Sequence, residues 1–218
     1  AILYHEIMAY QERTKVKIVV AMMGVAASGG YYVALPADYI MAHPTTLTGS
    51  IGVILIQPKV VGLMDKVGLQ IETNKSGVNK DMGSPFRMAS TDEKAIFQDI
   101  TDGLGQRFLD LVAKHRNLEP TALKKASTAR VYLAAEARKL GLIDAVGYLN
   151  DAIQKAQKMT DLPANTRVVT YRRSQYPDDN LYNTSTTQWE GKALLDLGLP
   201  EVMTTLPTGF YYLWAPGM

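Results

Sequence analysis

The sequence predicts an α/β fold, and three observations carry that prediction. The apolar, β-branched run Val16 to Met23 ends in the small residues Gly24, Ala26 and Ala27 before a second apolar stretch at Tyr31 to Leu35. Strand-like and helix-like periodicities then alternate along the chain, which is the pattern of a sheet built with crossing helices. The helical segments also carry their own punctuation: Ser90-Thr91-Asp92-Glu93 is a capping box, and Gly68 and Gly141 close two apolar stretches.

Taken in order, residues 1–13 have helical spacing (Ile2, Leu3, Ile7, with the Tyr4/Met8 pair), and no capping residue precedes them. The chain is therefore expected to open inside a domain. Residues 16–22 predict a buried strand, 29–35 a short helix stopped by Pro36, and Tyr39 to Ala42 a strand ended by the turn His43-Pro44. Thr45 to Leu55 alternates small polar and apolar residues, with Gly49 and Gly52 as bends, and predicts a strand or a strand pair. Val60 to Val67 predicts a helix, Leu69 to Asn74 a strand, and Ser76 to Pro85 a loop. From the capping box, Ile96, Ile100, Leu104, Phe108 and Leu111 continue a long helix to about Asn117, facing either the core or an interface. Helix 133–140, strand 142–144, the amphipathic helix 149–159 and strand 167–171 follow. From Arg172 the character becomes polar and ends in the aromatic run Phe210 to Trp214, so residues 172–218 are set apart as a C-terminal extension.

Composition excludes several function classes. The 218 residues carry a net charge of +2 with scattered cations, which gives no electrostatic footprint for nucleic acid. There is no cysteine, so disulfides, thiolate metal sites and a cysteine nucleophile are excluded. His5, His43 and His115 are far apart and make no metal-ligand spacing. No apolar run reaches the roughly 18 residues of a membrane span.

Chemistry concentrates at Ser28. It lies between Ala27 and Gly29-Gly30, where a strand passes through a tight turn into a helix. A serine there is either an N-cap or a nucleophile at the positive end of the helix, with the Gly29 N–H free to meet an oxyanion. The logic is that of a nucleophile elbow, without the G-x-S-x-G pattern itself. A serine nucleophile needs a base. His43, beside Pro44, has the character of a structural residue. A lysine held neutral by its surroundings is the other choice, and Lys80 stands in a loop of small residues, Gly77 to Pro85.

Several motifs occur in order. Gly24 to Tyr32, Pro36-Ala37-Asp38 and Thr45 to Val53 resemble the core signature of the signal peptide peptidase A family, serine peptidases of the Clp/crotonase fold. Lys80-Asp81 followed by Gly83-Ser84-Pro85 is similar to that family's catalytic-lysine loop. Ala129 to Tyr132, Leu140 to Asp144 and Asp151-Ala152-Ile153 also match, so the resemblance covers residues 1–171. It implies a spiral of repeated strand-strand-helix units, with further strands, a membrane anchor and a second oxyanion donor on a Gly-rich segment lying ahead of residue 1. It further implies Ser28 as nucleophile, Lys80 as general base, Gly29 as an oxyanion donor and Ser50 as the hydroxyl that orients the lysine. The expected substrates are signal peptides or other membrane-derived peptides at the extracytoplasmic face of a bacterial membrane. No cofactor is implied. A homo-oligomeric ring is, with serine and lysine drawn from one chain or from neighbours, and with residues 172–218 packed on the core or at an interface.

Three alternatives stay open at this point. A Clp-type Ser-His-Asp triad expects a histidine about 25 residues after the serine, where Val53 stands. A crotonase-type acyl-CoA enzyme would use the fold without Ser28 as nucleophile. A catalytically silent domain would only assemble.

Overall fold

A computed structural model describes residues 2–171 and the backbone of 209–211. Helix α1 (Ile2–Thr14) leads into β1 (Val19–Met22) and β2 (Val25–Ala27), and then α2 (Gly29–Ala34). Next come β3 (Tyr39–Ala42), β4 (Leu47–Gly49), β5 (Ile54–Ile56) and α3 (Val61–Val67). The long α4 (Thr91–Arg116) precedes α5 (Pro120–Ala126), β6 (Val131–Leu133), α6 (Ala134–Lys139), β7 (Ala145–Val146) and α7 (Leu149–Met159). A last strand, β8 (Gly209–Tyr211), falls in the C-terminal extension, the rest of which lies outside the described residues.

The strands form two three-stranded sheets and one two-stranded sheet, and the two larger ones make the spiral visible. β1, β3 and β7 form one parallel sheet, with Val19 opposite Tyr39 and Met41 opposite Ala145. β2 and β4 are parallel in a second sheet, with Ala27 opposite Gly49, and β6 joins β4 antiparallel. Each successive strand-strand pair adds one strand to each sheet. The fold is thus the Clp/crotonase-like strand-strand-helix spiral that the sequence implied. β5 pairs antiparallel with β8, Leu55 opposite Phe210.

The core forms where α2 is enclosed. Tyr31, Tyr32 and Leu35 are buried with Ile40, Phe108, Val112 and Leu142, and the Tyr31 hydroxyl donates to the Leu142 carbonyl at 2.7 Å. A buried phenol needs such an acceptor, and burial raises its pKa well above the ordinary value. Tyr4 of α1 packs edge-on to Tyr32 at 5.5 Å between ring centres and shares a 2.6 Å hydrogen bond with His115. Only the C-terminal half of α4 enters this core, through Phe108 and Val112; Ile100 is exposed. The capping box at Ser90 and Glu93 is present, and Asn117 ends the helix in the left-handed conformation.

Four predicted elements differ from the structure. Residues 69–74 and 167–171 form no strand. Leu69, Ile71, Val168 and Val169 are exposed, and among the described residues no strand pairs with these segments to form a ladder. The strand expected at 142–144 lies at 145–146, because Leu142 and Ile143 plug the core while Asp144 takes Arg116 at 2.9 Å and 3.1 Å. The helix expected from Leu133 starts after β6, since Val131 to Leu133 pairs with β4. Helix α5 was not expected; Pro120 occupies its first turn, where a missing N–H costs nothing.

Candidate active site

Ser28 follows the last residue of β2 and stands at the N-cap position of α2 with φ 50° and ψ −111°. A non-glycine residue in that region is strained, at a cost of about 1–3 kcal/mol. Two backbone hydrogen bonds fix it there: its N–H donates to the Gly49 carbonyl at 2.8 Å, and its own carbonyl accepts from Tyr32 N–H at 2.8 Å. The hydroxyl does not cap the helix. It is buried, with the residue 1% exposed, and has no hydrogen-bond partner among the described residues. The bland alternative, a serine kept for capping, is therefore not what this side chain does. Gly29 opens the helix, and its N–H belongs to the first turn, where no acceptor is available within the helix.

Ser50 sits beside this turn for a topological reason. Ala27 and Gly49 are paired residues of parallel β2 and β4, so Ser28 and Ser50 leave the same end of the sheet side by side. Ser50 is buried, has φ 50°, and its N–H donates to the Arg130 carbonyl at 2.9 Å. Gly49 lets β6 lie close against this end of β4. Its φ is 85°, and a Cβ there would lie 2.6 Å from the Tyr132 ring and 2.8 Å from the Arg130 carbonyl.

The fourth expected site residue stands apart. Lys80 occupies a turn in which its N–H donates to the Gly77 carbonyl at 3.0 Å; its side chain is exposed and makes no hydrogen bond to Ser28. The turn itself is firmly held. Lys59 donates to the Ser84 carbonyl at 2.7 Å, and Val60 N–H to the Pro85 carbonyl at 2.9 Å. Asp81, next to Lys80, binds Arg87 at 2.7 and 2.8 Å and Lys75 at 2.8 Å. Arg87 also binds Glu93, at 2.7 Å through Nη1. Sequence reasoning found Glu93 only as a capping residue. The signal for its second role, an arginine six positions ahead of it and six after Asp81, has no periodic pattern to advertise it.

This cluster makes the local stability pH-dependent. The hydrogen bonds from Arg87 hold Asp81 well below the usual carboxylate range and Glu93 down to about 2. Both groups bind fewer protons folded than unfolded. Their contribution is complete above the ordinary value near 4.5 and is lost as pH falls through the lowered values. Urea unfolding compared at pH 6 and pH 3 is expected to show a loss of stability that Arg87→Met largely removes. An equal loss in both proteins would contradict this assignment.

Two of the three histidines have partners of their own. His43 shares a 2.8 Å hydrogen bond with Thr45 and meets the Tyr148 ring edge-on at 5.0 Å, and His115 is bonded to Tyr4. Among the described residues no group of His, Asp or Glu side chains is arranged to hold a metal ion, and no helix is long and apolar enough to cross a membrane.

The chain is similar to several known proteins. The family model described as peptidase family S49 matches residues 10–163. A protein of Methanocaldococcus jannaschii assigned as a protease is 38% identical over 72% of this chain and 50% of its own length. An Enterococcus faecium protein assigned as signal peptide peptidase SppA is 39% identical over 71% of this chain and 46% of its own. The chain thus spans about half the length of these relatives. Among solved structures, a membrane-bound stomatin-specific protease aligns with 77% of this chain and 69% of its own, at 18% identity and a TM-score of 0.41.

Proposed function

The chain belongs to peptidase family S49, and from that premise we propose that it is a serine endopeptidase in which Ser28 is the nucleophile and Lys80 the general base. The observation that carries this reading is Ser28 itself, with a strained backbone and a buried hydroxyl that has no partner among the described residues. An unsatisfied buried hydroxyl costs about 1–3 kcal/mol, and the backbone strain adds to it. Such a cost fits a group that finds its partners only when a lysine amine and a substrate arrive.

Lys80 takes the proton from Ser28 Oγ as the oxygen attacks the scissile carbonyl carbon. The carbonyl oxygen becomes an oxyanion and accepts from the Gly29 N–H. The tetrahedral adduct collapses, the C–N bond breaks, and Lys80 returns its proton to the departing amine. Water then cleaves the Ser28 ester with Lys80 again as base. Ser50, beside Ser28, is suited to orient the lysine amine by a hydrogen bond without adding charge. Because Lys80 is exposed on a turn that makes no bond to Ser28 of the same chain, the dyad is completed between neighbouring copies in a homo-oligomer. The substrates in this reading are membrane-derived peptides, including released signal peptides, met at the extracytoplasmic face of a bacterial membrane.

Complementation tests this directly. The full-length protein carrying Ser28→Ala and that carrying Lys80→Ala should each lose cleavage of an apolar fluorogenic peptide, by about 10⁴-fold or more. Co-assembly of the two variants should restore a substantial fraction. Full activity in Lys80→Ala would exclude the proposed base. Two inactive variants that never complement would place the dyad within one chain.

A further inference from the structure

We propose that Arg87 is a positioning residue for Lys80: by clamping Asp81 to Glu93 at the head of α4, it aims the lysine-bearing turn and keeps the Asp81 carboxylate away from the lysine amine. This inference rests on the assignment of Lys80 as base.

The geometry supplies both halves. The Arg87 guanidinium uses all three nitrogens: Nε donates to Asp81 Oδ2 at 2.7 Å, Nη2 to Asp81 Oδ1 at 2.8 Å, and Nη1 to Glu93 Oε2 at 2.7 Å. Nη2 also reaches the Asp81 carbonyl at 3.2 Å, and Nη1 the Met88 carbonyl at 3.1 Å. Glu93 is buried and fixed in turn by the capping box, its Oε2 accepting from Ser90 N–H at 2.8 Å. The residue directly after Lys80 is therefore tied to the first turn of a 26-residue helix. An exposed side chain that must reach a serine elsewhere needs such a rigid base, since misplacement by about 1 Å can cost about 10²-fold in rate.

The second half is electrostatic. A base must be neutral, and a free carboxylate beside an amine holds it protonated. The turn is surrounded by Lys75 on the preceding segment, Lys59 ahead of α3, Arg87, and the carboxylates Asp81 and Glu93. Both Asp81 oxygens are occupied by cations, Oδ1 by Lys75 and Arg87 and Oδ2 by Arg87. Lysine at position 87 could not replace this fork, because a single ammonium cannot bind two carboxylates with parallel pairs of donors.

The test is the pH profile of kcat/KM for peptide cleavage by the full-length protein. Arg87→Met should move the basic group's midpoint to higher pH by about one unit and lower the plateau by about 10- to 100-fold. Adding Asp81→Asn to Arg87→Met should return the midpoint while leaving the plateau low. Glu93→Gln, which leaves Arg87 on Asp81, should lower kcat with the midpoint unchanged, and it serves even if Arg87→Met does not fold. A midpoint that stays in place in Arg87→Met, one that Asp81→Asn fails to return, or full kcat in Glu93→Gln would each overturn the proposal. Wild-type activity in Lys80→Ala would instead overturn the assignment of the base.

Discussion

Ser28→Ala is expected to abolish peptidase activity while leaving the protein as stable as the parent or more so. The loss of turnover should be about 10⁴- to 10⁶-fold, the scale seen when a catalytic serine is removed. Stability should not follow it down. The hydroxyl does not cap the helix and bonds to nothing among the described residues, so its removal ends the desolvation cost of a buried, unsatisfied group, worth about 1–3 kcal/mol at most. Ser28→Gly should stabilise further, because glycine accepts φ 50° without strain. Thermal or urea unfolding of the three proteins checks the order Gly above Ala, and Ala at or above Ser. A marked destabilisation in Ser28→Ala would show that the hydroxyl supports the fold, and the functional argument from its isolation would fail.

Gly49→Ala should have the largest structural effect of any single methyl added near the site. Its Cβ would stand 2.6 Å from the Tyr132 ring and 2.8 Å from the Arg130 carbonyl, and φ 85° is strained for alanine in any case. Overpacking of this kind costs about 1–3 kcal/mol, and the backbone penalty adds about 1 kcal/mol or more. The carbonyl of Gly49 also anchors Ser28 N–H, and Ser50 follows it. Activity should therefore fall along with stability. Gly30→Ala provides the contrast, since a Cβ there meets only Ala26 at 3.8 Å. It should leave unfolding nearly unchanged. Equal stabilities for the two variants would mean that the Tyr132 contact yields at little cost.

The sequence showed the parts of this protein that local chemistry dictates. Helix α4 was legible because Ser90 and Glu93 begin it and an apolar stripe continues it. β3 and α3 were legible because a turn and Gly68 bound them. Ser28 stood out because a lone hydroxyl among small residues has few uses. Pairings between distant segments were not legible. β6 depends on β4, more than eighty residues earlier, and nothing in Val131 to Leu133 itself separates a strand from the start of a helix. The apolar stretches at Leu69 and Val168 pair with no strand among the described residues, which propensity cannot foresee. At the site, the proximity of Ser28 and Ser50 is a consequence of parallel register. The clamp of Arg87 on Asp81 and Glu93 was hidden because its side chains meet through loop geometry rather than through a period.

The central claim is that Ser28 is an activated nucleophile dependent on Lys80. Intact-mass measurement of the full-length protein after exposure to a fluorophosphonate tests it most directly. One adduct per chain, mapped to Ser28 and absent from both Ser28→Ala and Lys80→Ala, is the predicted result. An adduct on another serine, or undiminished labelling of Lys80→Ala, would contradict it.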